Sequence, residues 1–169
     1  SSRFNAKTLV MNHAAAPFKL QPASQALTGS IALPGSKSAS NRLLILHALA
    51  KANTALPRLS TAADTTYMQV ALQQIATQQG GRIFAGAAGT VMRFLLPVLA
   101  LRPGSWELYG SDRAHERPIG PLVDALRSLG ANIDYLEKEG FPPLRIEGGL
   151  VSGGEVQLPA HQSSQFATA

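Results

Sequence analysis

The sequence contains no cysteine. Disulfides and thiolate metal sites are therefore excluded. The four histidines, His13, His47, His115 and His161, stand far apart, without the short spacings that zinc ligands use. They read as scattered surface or core residues, and no metal is expected. No apolar run approaches the ~20 residues that cross a bilayer. The opening residues, SSRFNAKTLVMNHAAAPF, lack the apolar stretch of a signal peptide. The expectation is a cytoplasmic protein with no membrane partner. Lys and Arg form no runs, which argues against a nucleic-acid partner.

What is present is globular. The chain has 169 residues, of which 45% are hydrophobic and 15% charged. That length suits one domain with a piece of a second. Fifteen Lys and Arg against ten Asp and Glu leave a net charge of +5, which fits a phosphorylated or carboxylated partner. Residues 1–17 read as a poorly ordered tail. Met11 is a candidate natural start, with residues 1–10 then foreign to the natural chain.

Apolar periodicity orders the rest into strands and helices. FKLQ (18–21) and GSIALPGS (29–36) read as strands, and a helix follows from Ser40 with Leu43, Leu44, Leu46, His47 and Ala50 on one face. PRLS (57–60) is a candidate strand. Asp64 is placed to cap a helix through Met68, Leu72 and Ile75, stopping at Gly80-Gly81. RIFAG (82–86) is a strand, and GTVMRFLLPVLAL (89–101) a helix that Pro97 should kink or shorten. SWELYG (105–110) is a strand. RPIGPLVDALRSLG (117–130) is a helix with Pro118 in its first turn and Gly130 at its stop. ANIDYLE (131–137), PLRIEGG (143–149) and GEVQLP (154–159) read as strands, and SSQFATA (163–169) opens another helix. The pattern is α/β, a β-α-β-α-β-β unit followed by a second like it.

LPGSKSASNRLLILHALA (33–50) carries the chemistry. It is not a nucleotide-binding loop, because Ser36 and Ile31 stand where that motif needs its two glycines. A glycine turn still leads into a helix whose first N–H groups and dipole favour an anion. Lys37 adds a charge and Ser38 a hydroxyl. Arg42, four residues on, adds a bidentate fork on the same face. GAAGT (86–90) with Arg93, RAHERPIG (113–120) with Arg113, Glu116 and Arg117, and HQSSQ (161–165) repeat the theme at three further helix starts. The plain alternative is ordinary helix capping with solvated cations.

Together, LPGSKSASNRLLILHALA, GAAGTVMRFL, ERPIGPLVDALRSLGANIDYLE, FPPLRIEGG and SSQFATA resemble the 5-enolpyruvylshikimate-3-phosphate synthase family. The resemblance runs in order from about Phe18 to Ala169 and covers the N-terminal part of that longer family. Residues 18–169 would then be mostly its N-terminal substrate-binding domain, with the C-terminal domain absent. The family fold is an inside-out α/β barrel of repeated β-α-β-α-β-β units. Its members transfer enolpyruvyl from phosphoenolpyruvate to the 5-hydroxyl of shikimate 3-phosphate without a cofactor, and glyphosate competes for the phosphoenolpyruvate site.

The resemblance implies residue roles. Lys37 reaches both substrates and is the catalytic residue of this portion, while Ser38 and Arg42 grip the carboxylate of the shikimate ring. Gly89 and Arg117 line the phosphoenolpyruvate site. Ser163 and Ser164 hold the 3-phosphate, and Gln165 lies between the ligands. Ala87 stands where many relatives have Asn, which removes a side-chain amide there. Asp64, where relatives often have two Asp, receives no role beyond capping. The acid and base of the family come mainly from the second domain, so the chain alone is expected to be inactive. The rival readings are a binding module that works only with a complementary C-terminal fragment, and a related transferase acting on a nucleotide sugar. The latter typically uses a Cys, which is missing here.

Overall fold

The computed structural model describes residues 29–56, 58–149, 152–158 and 164–169. The chain divides into two units, 1–32 and 33–169. Of the first, only residues 29–32 are described, and they take no regular structure. The expected tail over 1–17 and the strand over 18–21 lie outside the described residues.

The second unit contains one sheet. Strands β1 (Gly80–Phe84), β2 (Gly104–Tyr109), β3 (Asn132–Tyr135) and β4 (Leu144–Gly148) lie in the order β1-β2-β4-β3. The β1–β2 pair is parallel, with Ile83 opposite Leu108, and the other pairs are antiparallel, with Trp106 and Ile133 both opposite Ile146. Side chains alternate across the sheet as a half-buried strand requires. Ile83, Trp106, Leu108, Ile133, Leu144 and Ile146 face the core. Arg82 pairs with Glu107 at 2.8 Å, and Ser105 donates to Glu147 at 2.6 Å, across neighbouring strands.

Six helices complete the described residues: α1 (Lys37–Leu49), α2 (Ala63–Thr77), α3 (Gly89–Leu101), α4 (Asp112–His115), α5 (Gly120–Ser128) and α6 (Ser164–Thr168). From β1 to β4 the order is β-α-β-α-β-β, with the short α4 inserted before α5. The expected unit is therefore present once among the described residues. The earlier copy is represented there by α1 and α2 without strands.

Helix α3 is the centre of the core. Val91, Met92, Phe94, Leu95, Leu96, Val98 and Leu99 are all buried on it. Of the expected kink or early end at Pro97, the early end does not occur, and the helix runs on to Leu101. A helix-interior Pro costs about 3 kcal/mol, whereas each large apolar side chain buried returns about 1.5–3 kcal/mol. Burial wins. Helix α1 begins at Lys37 rather than Ser40, because Ser36 is its N-cap and accepts from Ala39 N. Of its expected apolar face only Leu44 is buried; Leu43 and Leu46 are exposed, and the polar Ser40 and Asn41 turn inward instead.

Other expectations also shift. Asp64 does not cap α2. The N-cap is Ala62, and Asp64 sits in the first turn. Helix α2 ends at Thr77, so Gly80 and Gly81 belong to β1. Helix α5 starts at Gly120 with Pro121 in its first turn, two residues beyond the expected Pro118 start. Gly130, with φ +95°, follows its C-cap as expected. Segments 29–36, 58–60 and 152–158 form no strands. Ser60 N donates to Ser40 Oγ at 2.9 Å instead of to a neighbouring strand. Gly153 and Gly154 have φ of +70° and +142°, which break an extended run.

Candidate anion-binding site

Helices α1, α2, α3 and α6 and the turn after α4 carry the described candidates, which meet in three groups: Lys37 with Asp64, Ser38 with Arg42, and Gly89 with Arg93, Arg117 and Gln165. Gly35 makes the entry into α1 possible: a Cβ there would lie 2.3 Å from the Arg58 carbonyl oxygen. Only glycine permits that approach. Lys37, the first residue of α1, places Nζ 2.7 Å from Oδ2 of Asp64 on α2. One turn on, Arg42 donates through Nη1 to the Ser38 hydroxyl and, at 3.4 Å, to the Ser38 carbonyl. Its guanidinium lies 5.4 Å from the centroid of the Phe94 ring on α3.

Arg93 joins α3 to α6. Its Nη1 donates to Gln165 Oε1 at 2.7 Å and its Nη2 to the Pro118 carbonyl at 3.1 Å. The guanidinium stands 4.8 Å from the Phe166 ring centroid. Gln165 Nε2 in turn donates to Thr90 Oγ1 at 2.9 Å. Burial, and then the positive charge of Arg117, lower the Arg93 pKa from its ordinary value. An arginine still stays charged across the working pH range. The shift marks burial first, with Arg117 close enough to add to it.

Gly89 is the first residue of α3 and is buried between those cations. A Cβ there would lie 3.1 Å from Arg117 Cδ and 3.6 Å from Arg93 Cζ. Its φ is not positive, so it is not a turn glycine retained for its backbone. Gly86, upstream, is the turn glycine, with φ +71° and the Tyr67 ring against it. Ser164, the first residue of α6, is exposed, and its carbonyl accepts from Thr168 Oγ1. Ser163 lies outside the described residues. A cleft of about 120 Å³ lined by Arg42, Phe94 and Thr168 adjoins both α1 and α6.

Among the described residues, the ion pairs are Lys37–Asp64 and Arg82–Glu107. No described carboxylate pairs with Arg42, Arg93 or Arg117. Of the nine described arginines only Arg82 has an acid partner, so Arg58, Arg102, Arg113, Arg127 and Arg145 are unpaired as well. A larger hollow of about 390 Å³, lined by Leu49, Lys51, Leu72, Leu101 and Arg102, lies at the opposite, C-terminal ends of α1 and α3. Helix C-termini disfavour anions, whereas Lys37, Arg42 and Arg93 lie in the N-terminal halves of their helices.

The sequence alone gives Arg93 no role beyond its position one turn into α3, and gives none to Thr90 or Phe166. Arg93 stands four residues after Gly89, the same spacing that relates Arg42 to Ser38, and that repetition was its signal. Asp64 reads as a cap because capping needs only local sequence.

The fold is an α/β unit with Arg42 and Arg93 in the first two turns of α1 and α3 and Arg117 three residues before α5. The family model for EPSP synthase (3-phosphoshikimate 1-carboxyvinyltransferase) matches residues 22–80 and 71–169, and the chain belongs to that family. The 3-phosphoshikimate 1-carboxyvinyltransferase of Bordetella pertussis is 44% identical over 168 residues, covering 88% of this chain and 38% of the relative. That of Shewanella sediminis is 42% identical, covering 89% and 40%. The chain thus spans about two fifths of the length of these curated relatives. A solved EPSP synthase from Acinetobacter baumannii shares the fold, with a TM-score of 0.72 over 83% of this chain, 37% of that chain and 24% identity. Among the described residues, no helix is long and apolar enough to cross a membrane.

Proposed function

We propose that this chain holds the anionic substrates of a cytoplasmic carboxyvinyl transferase acting in aromatic amino-acid biosynthesis. The substrates are shikimate 3-phosphate and phosphoenolpyruvate. The observation that carries the proposal is the pair of cations, Arg93 and Arg117, held about Gly89 at the start of α3, neither with a carboxylate partner among the described residues. Ligands bearing phosphate and carboxylate groups would supply the missing charge, through the bidentate bonds that guanidinium favours.

Ser38 and Arg42 take the carboxylate of the shikimate ring, and Ser163 and Ser164 take its 3-phosphate. Gly89 and Arg117 border phosphoenolpyruvate, and glyphosate competes there. Lys37 and Gln165 face both ligands. In the reaction the 5-hydroxyl gives up its proton to a base as its oxygen bonds to C2 of phosphoenolpyruvate, while C3 gains a proton from an acid. The tetrahedral intermediate then loses that proton from C3, and the C2–O bond to phosphate breaks. Lys37 and the arginines stabilise charge on the transferring groups. A proton donor and acceptor must lie within hydrogen-bond reach, and they come from a complementary C-terminal part.

Calorimetric titration with shikimate 3-phosphate tests the proposal. Binding should weaken as salt screens the contacts over ~10 Å at ~0.1 M, and Arg42→Ala should weaken it further. Equal affinity of wild type and Arg42→Ala removes the role of Arg42. Phosphate release from the two substrates should be absent with this chain alone and should appear when a matching C-terminal fragment is added.

A further inference from the structure

Lys37 occupies an unfavourable place for helix stability. A cation in the first turn works against the helix dipole. An anion in a first turn is favoured, and Asp64 has that position in α2. The two meet at 2.7 Å, with the Lys37 side chain 53% exposed and that of Asp64 18% exposed. The carboxylate is thus the anchored partner and the ammonium the presented one. Its anchorage is firm: α1 packs on α2. Thr65, beside Asp64, and Asn41, one turn beyond Lys37, are both wholly buried.

We propose that Asp64 is a positioning residue that holds the Lys37 ammonium at the edge of the anion site. This rests on the substrate-holding role given to Lys37 above. A lysine ammonium has three donors on a flexible four-carbon stem. Asp64 engages one of them and orders the stem. Two donors remain for the oxygens of a phosphate or carboxylate, already aimed before the ligand arrives. The arrangement has an electrostatic cost, because Asp64 places a negative charge near an anionic ligand. That cost separates the proposal from a simple ion pair. If Asp64 only balanced charge, removing it would tighten anion binding; if it positions Lys37, removing it loosens binding.

The test is a double-mutant cycle on the full 169-residue chain, with shikimate 3-phosphate affinity measured by calorimetry for wild type, Asp64→Ala, Lys37→Met and the double variant. Asp64→Ala should weaken binding roughly two- to fivefold, the upper range for a half-exposed pair. In the Lys37→Met background the same change should cause no loss. Asp64→Asn, which retains an acceptor oxygen, should recover part of the affinity. Wild-type or tighter binding by Asp64→Ala overturns the proposal, as does an equal loss in both backgrounds. If Lys37→Met binds like wild type, the role of Lys37 itself is wrong. A second measurement needs no ligand. NMR relaxation of the Lys37 side-chain methylenes should show an ordered stem in wild type and a disordered one in Asp64→Ala. Equal mobility in both refutes positioning whatever the calorimetry shows.

Discussion

Arg93 and Gln165, 72 residues apart in sequence, are joined by a 2.7 Å hydrogen bond between a guanidinium nitrogen and a side-chain carbonyl oxygen. The five-residue helix α6 is too short to be stable by itself. Its attachment to α3 rests on this bond, on Gln165 to Thr90, and on the buried Phe166.

Gln165→Ala should therefore release α6 without unfolding the sheet. A hydrogen bond to a charged group contributes about 1.5–3 kcal/mol, and partial exposure of Arg93 reduces that to roughly 1–2 kcal/mol. Hydrogen exchange should show lost protection at residues 164–168 and unchanged protection in β2 and β4. Uniform loss across the chain would mean that Gln165 supports the whole core instead.

Gly86→Ala should be among the most damaging single-methyl additions. The new Cβ would lie 2.4 Å from Tyr67 Cδ2, and φ is +71°. Overpacking costs about 1–3 kcal/mol, and strain at positive φ adds about 1 kcal/mol. A loss of ~2–4 kcal/mol in denaturant titration is expected. Adding Tyr67→Ala should remove the clash and leave the backbone strain, so part of the added cost should disappear. No relief in the double variant would place the whole effect on φ.

Much of this architecture was legible because its signals are local. The apolar density of residues 89–101 marked α3 to its ends, and period-two alternation marked β1 to β4. Ser38 and Arg42 were legible as a pair because four residues make one helical turn. Failures arose where a distant partner decides the outcome. PRLS and GEVQLP alternate like strands, but no described strand pairs with them. Pro97 signals a break, yet core burial outweighs it. Leu43 and Leu46 look like core, while Asn41 is buried in their place. Arg93 with Gln165 and Lys37 with Asp64 are tertiary meetings, which no spacing reveals.

Tyr135 should make the fold sensitive to alkali. Burial raises its pKa, and the negative charge of Asp124 adds to the shift. The folded chain therefore keeps the phenolic proton at pH values where the unfolded chain has lost it. The contribution to stability is complete below the ordinary tyrosine value, about pH 10, and is lost as pH rises through the higher folded value. Arg127, 5.1 Å from the ring centroid, stays charged and opposes part of the effect. Denaturant midpoints at about pH 8 and about pH 11 should separate more widely in wild type than in Tyr135→Phe. Equal separation would assign the alkaline loss to other groups.

Gly89→Ala should leave the fold intact and change the ligand site. Alanine at a helical position without positive φ is favoured over glycine by roughly 0.5–1 kcal/mol, so the melting temperature should hold or rise slightly. The new methyl would press on Arg117 Cδ at 3.1 Å. That is the stem of a flexible side chain, so the guanidinium moves and the helix does not. Phosphoenolpyruvate and glyphosate share this position in the proposed function, and glyphosate is the longer molecule. It should lose more contact with a displaced Arg117 and clash more with the methyl. Overpacking of about 1–3 kcal/mol corresponds to roughly a tenfold to hundredfold weaker inhibition. The measurement compares the glyphosate inhibition constant with the phosphoenolpyruvate KM in a full-length enzyme carrying this sequence. A rise in both by the same factor would show that Gly89 sets the position of Arg117 for any anion, without selecting between the two.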